Sequence, residues 1–344
     1  MRGDRLEVML HLEKTIAEHL SRFLKAPELH WQPADFLPNL SSEDGFDKLR
    51  ILREESARLP DEILAVLVGD MITEEALPSY ATWIATLDGV NTQGEPSTAW
   101  GEWNRNWCAE ENRHGDLLNK YLYLTGRIDM KKVELSIHHL IKDGGNIETE
   151  NDPYRTFVYT SFQEIATRIS HHSVGKRALS AGADNLYALS RKIAGDEQRH
   201  AEAYMFFISK IIEVDASEAV LAIHDMLKKK IIMPAMYMRE SGSEVGDAFK
   251  KFEVLATRYE IYTPHHYVQI MAHILKRWGI AHLTGLSPAA EKAQQYLCGL
   301  PDRYKKIVER FSAKDKKEAE NDGPISFNWI LPEQKSIDIT GLTT

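Results

Sequence analysis

The stretch "WCAEENRHGDLLNKYLYLTGRIDM" (residues 107–130) places a carboxylate and an imidazole three positions apart, at Glu111 and His114. On a helix these two side chains project from one face. Leucines follow at 117, 118, 122 and 124, so part of this helix is expected to be buried. A buried carboxylate beside a buried imidazole is costly unless a further charge stabilises both, most simply a metal ion. The stretch therefore predicts a helix that contributes ligands to a metal site.

The same pair recurs in "GDEQRHAEAY" (195–204), as Glu197 and His200. A Glu-x-x-His motif alone is weak evidence, because chance supplies about one in a chain of this composition. However, each pair is preceded by another glutamate, Glu74 in "MITEEALPSY" and Glu164 in "YTSFQEIATRIS". Each separation is long enough for the rest of one helix, a turn and part of the next. The order is therefore Glu, then Glu-x-x-His, twice.

Four helices would thus each contribute inward-facing ligands, as in the ferritin-like di-iron and di-manganese carboxylate bundles. Four carboxylates neutralise two divalent cations, and two imidazoles complete the set. Ligands of this type without a thiolate favour iron or manganese over structural zinc. The alternative is that the acids line exposed helix faces and the histidines are packing residues. The predicted metal ligands are Glu74, Glu111, His114, Glu164, Glu197 and His200.

Two further residues follow from their spacing to these ligands. Thr167 is three residues after Glu164, so its hydroxyl should face the same cavity. Asp196 is adjacent to Glu197 and is well placed to orient a histidine ligand from another helix. The alternative for each is a packing or helix-surface role.

Apolar residues recur at helical spacing over long segments, and strand-like alternation is scarce, so the fold class is all-α. The predicted helices lie near 61–87, 98–125, 131–142, 152–179, 184–213 and 216–230, with two or three more between 245 and 312. We expect a single domain over residues 1–344, with a bundle core at about 60–230, peripheral C-terminal helices at about 245–312 and a tail at 325–344. "ISFNWILPEQKSIDI" in this tail is the stretch that could form a short hairpin.

The chain of 344 residues is 43% hydrophobic and 27% charged, which is typical of a soluble globular protein. Its net charge of −9 argues against nucleic acid as a partner, and no apolar run approaches the ~18 residues of a membrane span. Cys108 and Cys298 give no disulfide framework. The pairs His138–His139, His171–His172 and His265–His266 are expected at the surface. Acids throughout the first helix do not suit a targeting peptide, so a bacterial cytoplasm is expected, with the plastid stroma after transit-peptide removal as the alternative.

At these residues the chain resembles the soluble, plant-type acyl-(acyl carrier protein) desaturases, of which the plastid stearoyl enzymes are members. The resemblance covers roughly Trp31 to Thr263, with a fainter match at "ISFNWIL". It is carried by the segments "HWQPADFLPN", "VGDMITEEALPSYATWIATLDGV", "AEENRHGDLLNKYLYLTGRIDM", "TENDPYRTFVYTSFQEIATRIS" and "IAGDEQRHAEAY".

The resemblance implies a homodimer of ferritin-like bundles, each with two irons held by the six ligands named above. It implies electron entry from ferredoxin along Trp31, His114 and Asp196, and a role for Thr167 near the oxygen site. The implied reaction is the O₂-dependent introduction of a cis double bond into a saturated acyl chain carried on acyl carrier protein.

The resemblance also implies an acyl channel, and two departures from the stearoyl pattern concern it. Trp83 replaces a smaller residue at the deep end, and its i, i+3, i+4 spacing to Thr86 and Leu87 predicts one stripe. Lys250, beside Phe249, stands at the channel mouth where stearoyl-type members carry an acid. The run Lys228–Lys230 becomes a candidate docking element for the acidic carrier protein, and Lys230 is counted among the candidate substrate-binding residues.

Three other classes of protein remain possible at the level of sequence. A ferritin-like iron store or ferroxidase would use similar ligands and bind many irons per chain. A ribonucleotide-reductase radical subunit would need a stable tyrosyl radical beside the metals. A metal-free helical interaction protein would bind no iron.

Overall fold

The computed structural model describes residues 3–87, 89–90, 98–318 and 325–331. Within these ranges the chain is all-α, with thirteen α-helices and one isolated antiparallel β-bridge between Ile128 and Ile330. The helices are α1 Gly3–His19, α2 Gly45–Ser56, α3 Asp61–Glu75, α4 Leu77–Ala85, α5 Ala99–Thr125, α6 Met130–Asp143, α7 Pro153–Ser180, α8 Asp184–Val214, α9 Ala216–Lys229, α10 Asp247–Arg258, α11 Pro264–Arg277, α12 Pro288–Cys298 and α13 Leu300–Glu318.

Helices α3, α5, α7 and α8 form a four-helix bundle. In the bundle α3 packs against α5, α5 against α8, α8 against α7, and α7 against α3. The link between α7 and α8 is short, which makes these two long helices antiparallel neighbours. The remaining helices surround this bundle, as the sequence predicts.

Polar residues at the helix ends define where the bundle helices begin. The Thr98 side chain accepts a hydrogen bond from the backbone N–H of Gly101 at the start of α5. The Asp152 side chain accepts two backbone hydrogen bonds at the start of α7, where Pro153 occupies the first turn. Gly126 follows the last residue of helix α5, and its φ of 71° is the left-handed conformation in which many helices end.

The predicted helix at 61–87 is two helices in the structure. Helix α3 ends at Glu75, Ala76 leaves the helical conformation, and Pro78 lies in the first turn of α4. Proline has no backbone N–H to donate, so a continuous helix would lose a hydrogen bond here. The break places Glu74 in the last turn of α3. After residue 245 there are four helices rather than two or three, and α13 continues to Glu318.

The hydrophobic core consists of two clusters that lie at opposite ends of the bundle. One cluster contains the first part of α5 and the second part of α8, together with residues of α1, α9, α11 and α12. The other contains the second part of α5, the first part of α8, and residues of α3 and α10. The predicted metal ligands on α5, α7 and α8 lie between these clusters. The bundle therefore carries a polar layer at mid-height.

The described part of the tail packs against the start of α6. Phe327 and Trp329 are buried and stacked with ring centroids 4.6 Å apart, and Trp329 Nε1 donates to Ser136 Oγ at 3.0 Å. Residues 332–344, which would complete the predicted hairpin, lie outside the described residues. Among the helices described, none combines the length and apolar character needed to cross a bilayer.

Candidate metal centre

Two groups of buried side chains lie at mid-height in the bundle, and in each group the ligand atoms all lie within 4.8 Å of one another. The first group is Glu74, Glu111, His114 and Glu197, and the second is Glu111, Glu164, Glu197 and His200. The groups share Glu111 and Glu197, so these two carboxylates could bridge two neighbouring cations. The structure therefore brings together all six residues that the sequence singles out as ligands.

In both histidines the Nδ1 atom faces the carboxylates. His114 Nδ1 lies 3.1 Å from Glu111 Oε2 and 3.1 Å from Glu197 Oε1. His200 Nδ1 lies 2.6 Å from Glu111 Oε1 and 3.5 Å from Glu164 Oε2. Nδ1 is therefore the ring atom that each histidine offers to a metal.

The opposite ring nitrogen of each histidine faces a carboxylate outside the ligand set. His114 Nε2 lies 3.5 Å from Asp196 Oδ2, and His200 Nε2 lies 2.9 Å from Glu110 Oε2. Asp196 on α8 serves the histidine of α5, and Glu110 on α5 serves the histidine of α8. A carboxylate in this position fixes the tautomer and the ring orientation of a metal ligand.

Sequence reasoning identified Asp196 but not its counterpart Glu110, although the signal was present. Residues 110–114 and 196–200 follow one pattern of acid, Glu, any residue, Arg, His. The arginines complete the network: Arg113 Nη2 lies 3.2 Å from Asp196 Oδ2, and Arg199 pairs with Asp196 at 2.7 Å and also with Glu110. The repeat is thus five residues long, and it specifies both the ligands and the groups that hold them.

Trp31 joins this network from the segment between two 3₁₀ turns, Pro27–Leu29 and Pro33–Asp35. Its Nε1 donates to Asp196 Oδ2 at 2.9 Å, and its ring stacks on His114 with centroids 5.9 Å apart. The guanidinium of Arg113 lies 4.5 Å from the centroid of the Trp31 ring. The structure therefore brings Trp31, Asp196 and His114 into one contact chain.

Glu74 and Glu164 each belong to only one of the two groups, and each contacts a side chain outside the ligand set. His171 Nε2 lies 2.9 Å from Glu74 Oε1, and Trp107 Nε1 donates to Glu164 Oε1 at 2.9 Å. The surface position expected for His171 is wrong, since its side chain is buried. His171 is seven residues after Glu164, which on a helix is two turns along the same face. That spacing was the signal that sequence reasoning missed.

Thr167 faces the centre as its spacing predicts. Its Oγ1 donates to Glu197 Oε2 at 2.8 Å and also lies 3.1 Å from the backbone carbonyl of Glu164. The hydroxyl therefore touches one of the two shared carboxylates.

The electrostatics of the site favour bound cations. Burial raises the pKa of Glu74 and Glu164 well above their usual range, and the neighbouring carboxylates raise both further. Burial opposes a charge on His200, but the adjacent Glu111 raises its pKa to about 9. Without a metal the carboxylates are thus balanced by bound protons, which cations would displace.

Buried atoms without hydrogen bonds test whether these residues fit metal ions. Among the described residues, Glu111 Oε1, Glu197 Oε1 and His200 Nδ1 are buried and make no hydrogen bond of good geometry, although each lies within 3.1 Å of another atom of the ligand groups. Leaving such atoms unsatisfied costs free energy. All three belong to the ligand groups, and oxygen and imidazole donors suit iron or manganese. The residues therefore fit a two-metal centre.

The residues predicted to line an acyl channel do not form one buried stripe. Helix α4 ends at Ala85, so Thr86 and Leu87 lie beyond it. Trp83 is half-buried and packs against Tyr80 with ring centroids 5.4 Å apart. The Thr86 side chain is exposed, whereas Leu87 is buried in the core. Their shared role in a channel stays a prediction.

The basic residues lie at the surface, away from the metal ligands. Lys250 on α10 is exposed and pairs with Asp247 at 3.0 Å, and the neighbouring Phe249 stacks on Phe252. Helix α9 ends at Lys229, and Lys228–Lys230 are all exposed. Lys230 has a φ of 72° and a ψ of 136°, a conformation that non-glycine residues rarely adopt. The docking and channel-mouth roles of these residues stay predictions.

Comparison with known proteins gives consistent matches. A model of the fatty acid desaturase family matches residues 4–331. The chain is 46% identical over 332 residues to stearoyl-[acyl-carrier-protein] 9-desaturase 1, chloroplastic, of Arabidopsis thaliana, covering 96% of this chain and 83% of that protein. It is 44% identical over 328 residues to palmitoyl-[acyl-carrier-protein] 4-desaturase 3, chloroplastic, of Ophrys sphegodes, covering 95% and 81%.

A solved structure also resembles the chain. DesA2 from Mycobacterium tuberculosis H37Rv matches with a TM-score of 0.50 at 17% identity, over 83% of this chain and 99% of that chain. At this level of identity the match shows a shared fold.

Proposed function

The chain belongs to the fatty acid desaturase family and is an acyl-[acyl-carrier-protein] desaturase, and from that premise we propose how its residues carry out the reaction. Two irons would be held by Glu74, Glu111, His114, Glu164, Glu197 and His200. The observation that carries this assignment is the sharing of Glu111 and Glu197 between two buried ligand groups. Carboxylates that belong to both groups would be within reach of both metals.

Iron bound by these residues would supply, together with O₂ and two electrons, the oxidising power to remove two hydrogens from an unactivated methylene pair. The chain's own residues make the surroundings in which this can occur. Two apolar clusters close the bundle above and below the polar layer and exclude water from it. Thr167 holds its hydroxyl proton against Glu197, which keeps a proton donor beside one shared carboxylate.

Electrons must reach this buried layer from the surface. The contact chain of Trp31, Asp196 and His114 runs from a surface segment to a ligand of the first group. We assign electron entry to this chain, with ferredoxin as the donor. Homodimeric assembly is part of the same proposal, and light scattering of the purified chain tests it.

The substrate is the part of the proposal in which this chain differs most from stearoyl-type relatives. Two classes of relative, acting at different positions of stearoyl and palmitoyl chains, match it at 46% and 44% identity. Trp83, Tyr80 and Tyr237 line a cavity of only about 10 Å³, about the space of one water molecule. We infer that the indole of Trp83 shortens the channel, with Thr86 and Leu87 beside it. The preferred acyl chain is then shorter than stearoyl, or the double bond falls in a different register.

The carrier protein is acidic, so its docking surface should be basic. Lys228–Lys230 form an exposed basic run at the end of α9 in a chain whose net charge is −9. Lys250 and Phe249 on α10 are assigned to the channel mouth, where the ammonium group would attract the phosphate of the prosthetic group.

One experiment tests the function directly. The iron-loaded protein is reduced anaerobically, then given O₂ and acyl carrier proteins that bear palmitoyl or stearoyl chains, and the products are analysed by mass spectrometry. A cis-monounsaturated product is expected, and its double-bond position identifies the register. Accumulation of many irons per chain without any unsaturated product would instead indicate a ferritin-like iron store or ferroxidase.

A further inference from the structure

The residue before Trp31 reaches the other half of the metal centre. His30 has a side chain that is 8% exposed, and its Nε2 lies 3.2 Å from Glu110 Oε1, within hydrogen-bonding distance. Its Nδ1 lies 3.3 Å from Arg113 Nη2. Two adjacent residues therefore face the two carboxylates that orient the histidine ligands: Trp31 faces Asp196, and His30 faces Glu110.

The neighbours of His30 fix the position of its proton. A guanidinium group can only donate, so the Nδ1 atom next to Arg113 must accept. This leaves the ring proton on Nε2, which faces Glu110. Burial, followed by the positive charges of Arg113 and Arg199, lowers the pKa of His30 and favours the neutral ring.

Glu110 needs the donor that His30 supplies. Its Oε2 atom accepts from His200 Nε2 at 2.9 Å and pairs with Arg199. In the described part of the chain its Oε1 atom is buried and makes no hydrogen bond of good geometry, and His30 Nε2 lies 3.2 Å from it. The His30 Nε2 proton therefore faces the oxygen of Glu110 that has no other partner.

We propose that His30 is a positioning residue for the His200 half of the metal centre. It holds Glu110, and Glu110 holds the His200 ring with Nδ1 facing Glu111 and Glu164. The inference rests on the proposed function, because it requires a metal at His200. Two successive residues of one surface segment thus orient both histidine ligands, each through a different carboxylate.

Two substitutions distinguish the roles of the two ring nitrogen atoms of His30. The amide of glutamine places its nitrogen near the position of Nε2, so His30→Gln keeps a donor for Glu110. Asparagine is one methylene shorter and reaches only the position of Nδ1, so His30→Asn keeps an acceptor for Arg113 but loses the donor. Both side chains are polar and similar in size, which makes them matched variants.

The test is a titration of the metal-free full chain with Co²⁺, followed by visible absorption. His200→Ala identifies which of the two binding steps belongs to the His200 half. We expect His30→Asn to weaken that step by about tenfold and to leave the other step unchanged, while His30→Gln stays within about twofold of wild type. His172→Asn, at an exposed histidine on α7, serves as the control for a general effect of losing an imidazole.

The inference is overturned if both His30 variants bind Co²⁺ as the wild type does, or if both lose affinity equally. It is also overturned if His30→Asn loses affinity in the binding step that His200→Ala retains. If the wild type binds two Co²⁺ and desaturates acyl chains but His30→Asn binds Co²⁺ as tightly as the wild type, only the role of His30 is refuted. A wild type that binds no Co²⁺ refutes the metal centre and this inference together.

Discussion

Each histidine of the centre has two ring nitrogens, and a carboxylate from the opposite helix determines which of them faces the ligand carboxylates. Glu110 accepts from His200 Nε2, and Asp196 lies beside His114 Nε2. With Nε2 occupied in this way, only Nδ1 is left for a ligand bond. A change at Glu110 or Asp196 therefore affects the metal without touching a ligand.

Asp70 is a carboxyl group whose burial should affect stability. It lies one helical turn before Glu74, is 8% exposed, and accepts from Ser170 Oγ at 3.0 Å. Burial raises its pKa from 3.8 to about 6. Because the folded state holds this proton more tightly than the unfolded state, the contribution of Asp70 to stability is greatest below pH ~4 and is lost as the pH rises through 6.

The loss amounts to about 3 kcal/mol above pH 6, at 1.36 kcal/mol per pH unit. Asp70→Asn removes the ionisation and keeps an acceptor for Ser170. The metal-free variant should therefore gain stability over metal-free wild type as the pH rises from 4 to 7, as measured by urea unfolding. A stability difference that does not change with pH would contradict the raised pKa.

Trp83 is the residue whose substitution should change the substrate. If the indole closes the acyl channel, Trp83→Met opens space for more methylenes, each worth about 0.8 kcal/mol or nearly fourfold in kcat/KM. The variant should therefore shift its preference from palmitoyl towards stearoyl carrier protein, as measured by competition between the two substrates. Tyr237→Phe removes only a hydroxyl group from another residue that lines the same cavity and serves as the control. An unchanged chain-length profile in Trp83→Met would refute the role of the indole.

The sequence predicts the ligands better than their partners, for a physical reason. Ligands on helices recur at fixed spacing, so Glu111 and His114 are recognisable without a structure. His30 and Trp107 act across the bundle, and their contacts depend on how separate elements pack. The stripe of Trp83, Thr86 and Leu87 was not predictable from spacing, because α4 ends at Ala85 and helical spacing no longer applies beyond that residue.

At the scale of helices, the close approach of α10 to α3 depends on one glycine. A Cβ atom at Gly69 would lie 2.4 Å from Phe252 Cδ2, so the ring could not stay in place. Gly69→Ala should cost about 1 kcal/mol net, because overpacking of about 1–3 kcal/mol exceeds the gain in helix propensity. Gly195→Ala on α8 is the matched control: no atom lies within 4 Å of the added Cβ, and a gain of up to about 1 kcal/mol is expected. Urea unfolding measures both, and a stabilised Gly69→Ala variant would contradict the packing argument.

The end of α9 carries the prediction for docking. If Lys228–Lys230 contact the carrier protein, changing all three to Glu should raise the KM for acyl carrier protein about tenfold or more, since three charge pairs of about 0.5–1 kcal/mol each exceed 1.4 kcal/mol. Added salt should weaken wild-type binding. Lys305→Glu/Lys306→Glu on α13 changes another exposed basic pair and should leave KM near wild type. An equal rise in KM for the variants at 228–230 and at 305–306 would indicate a long-range effect of net charge rather than direct docking.

The elements themselves were largely predictable, because long segments rich in apolar residues lie between recognisable turn signals. The structure differs from the sequence prediction where proline and local packing decide, as at Pro78 between α3 and α4. The extension of α13 to Glu318 was missed because its last turns are charged and carry no apolar period. Charged sequence predicts solvent exposure, but it does not exclude a helix.

At the scale of the whole molecule, a polar layer separates two apolar clusters, and four helices meet in it. Buried carboxylates that repel one another oppose folding, and cations shared between them turn that repulsion into attraction. Bound metals would therefore connect the two ends of the bundle. Their effect should extend to the unfolding of the entire chain.

Metal removal tests this connection. Ligands that bind only the folded state stabilise it by RT ln(1 + [L]/Kd), about 2.7 kcal/mol at a hundredfold excess over Kd. Chelation should therefore lower the Tm of the whole chain in a single transition, and anaerobic Fe²⁺ should restore it. His200→Ala should show a smaller gain with Fe²⁺ because one ligand group loses its imidazole, while helix content by circular dichroism stays near that of wild type. An identical Tm for the chelated and the iron-loaded wild type would show that the polar layer is stable without metal, and the six residues would then need another explanation for their burial.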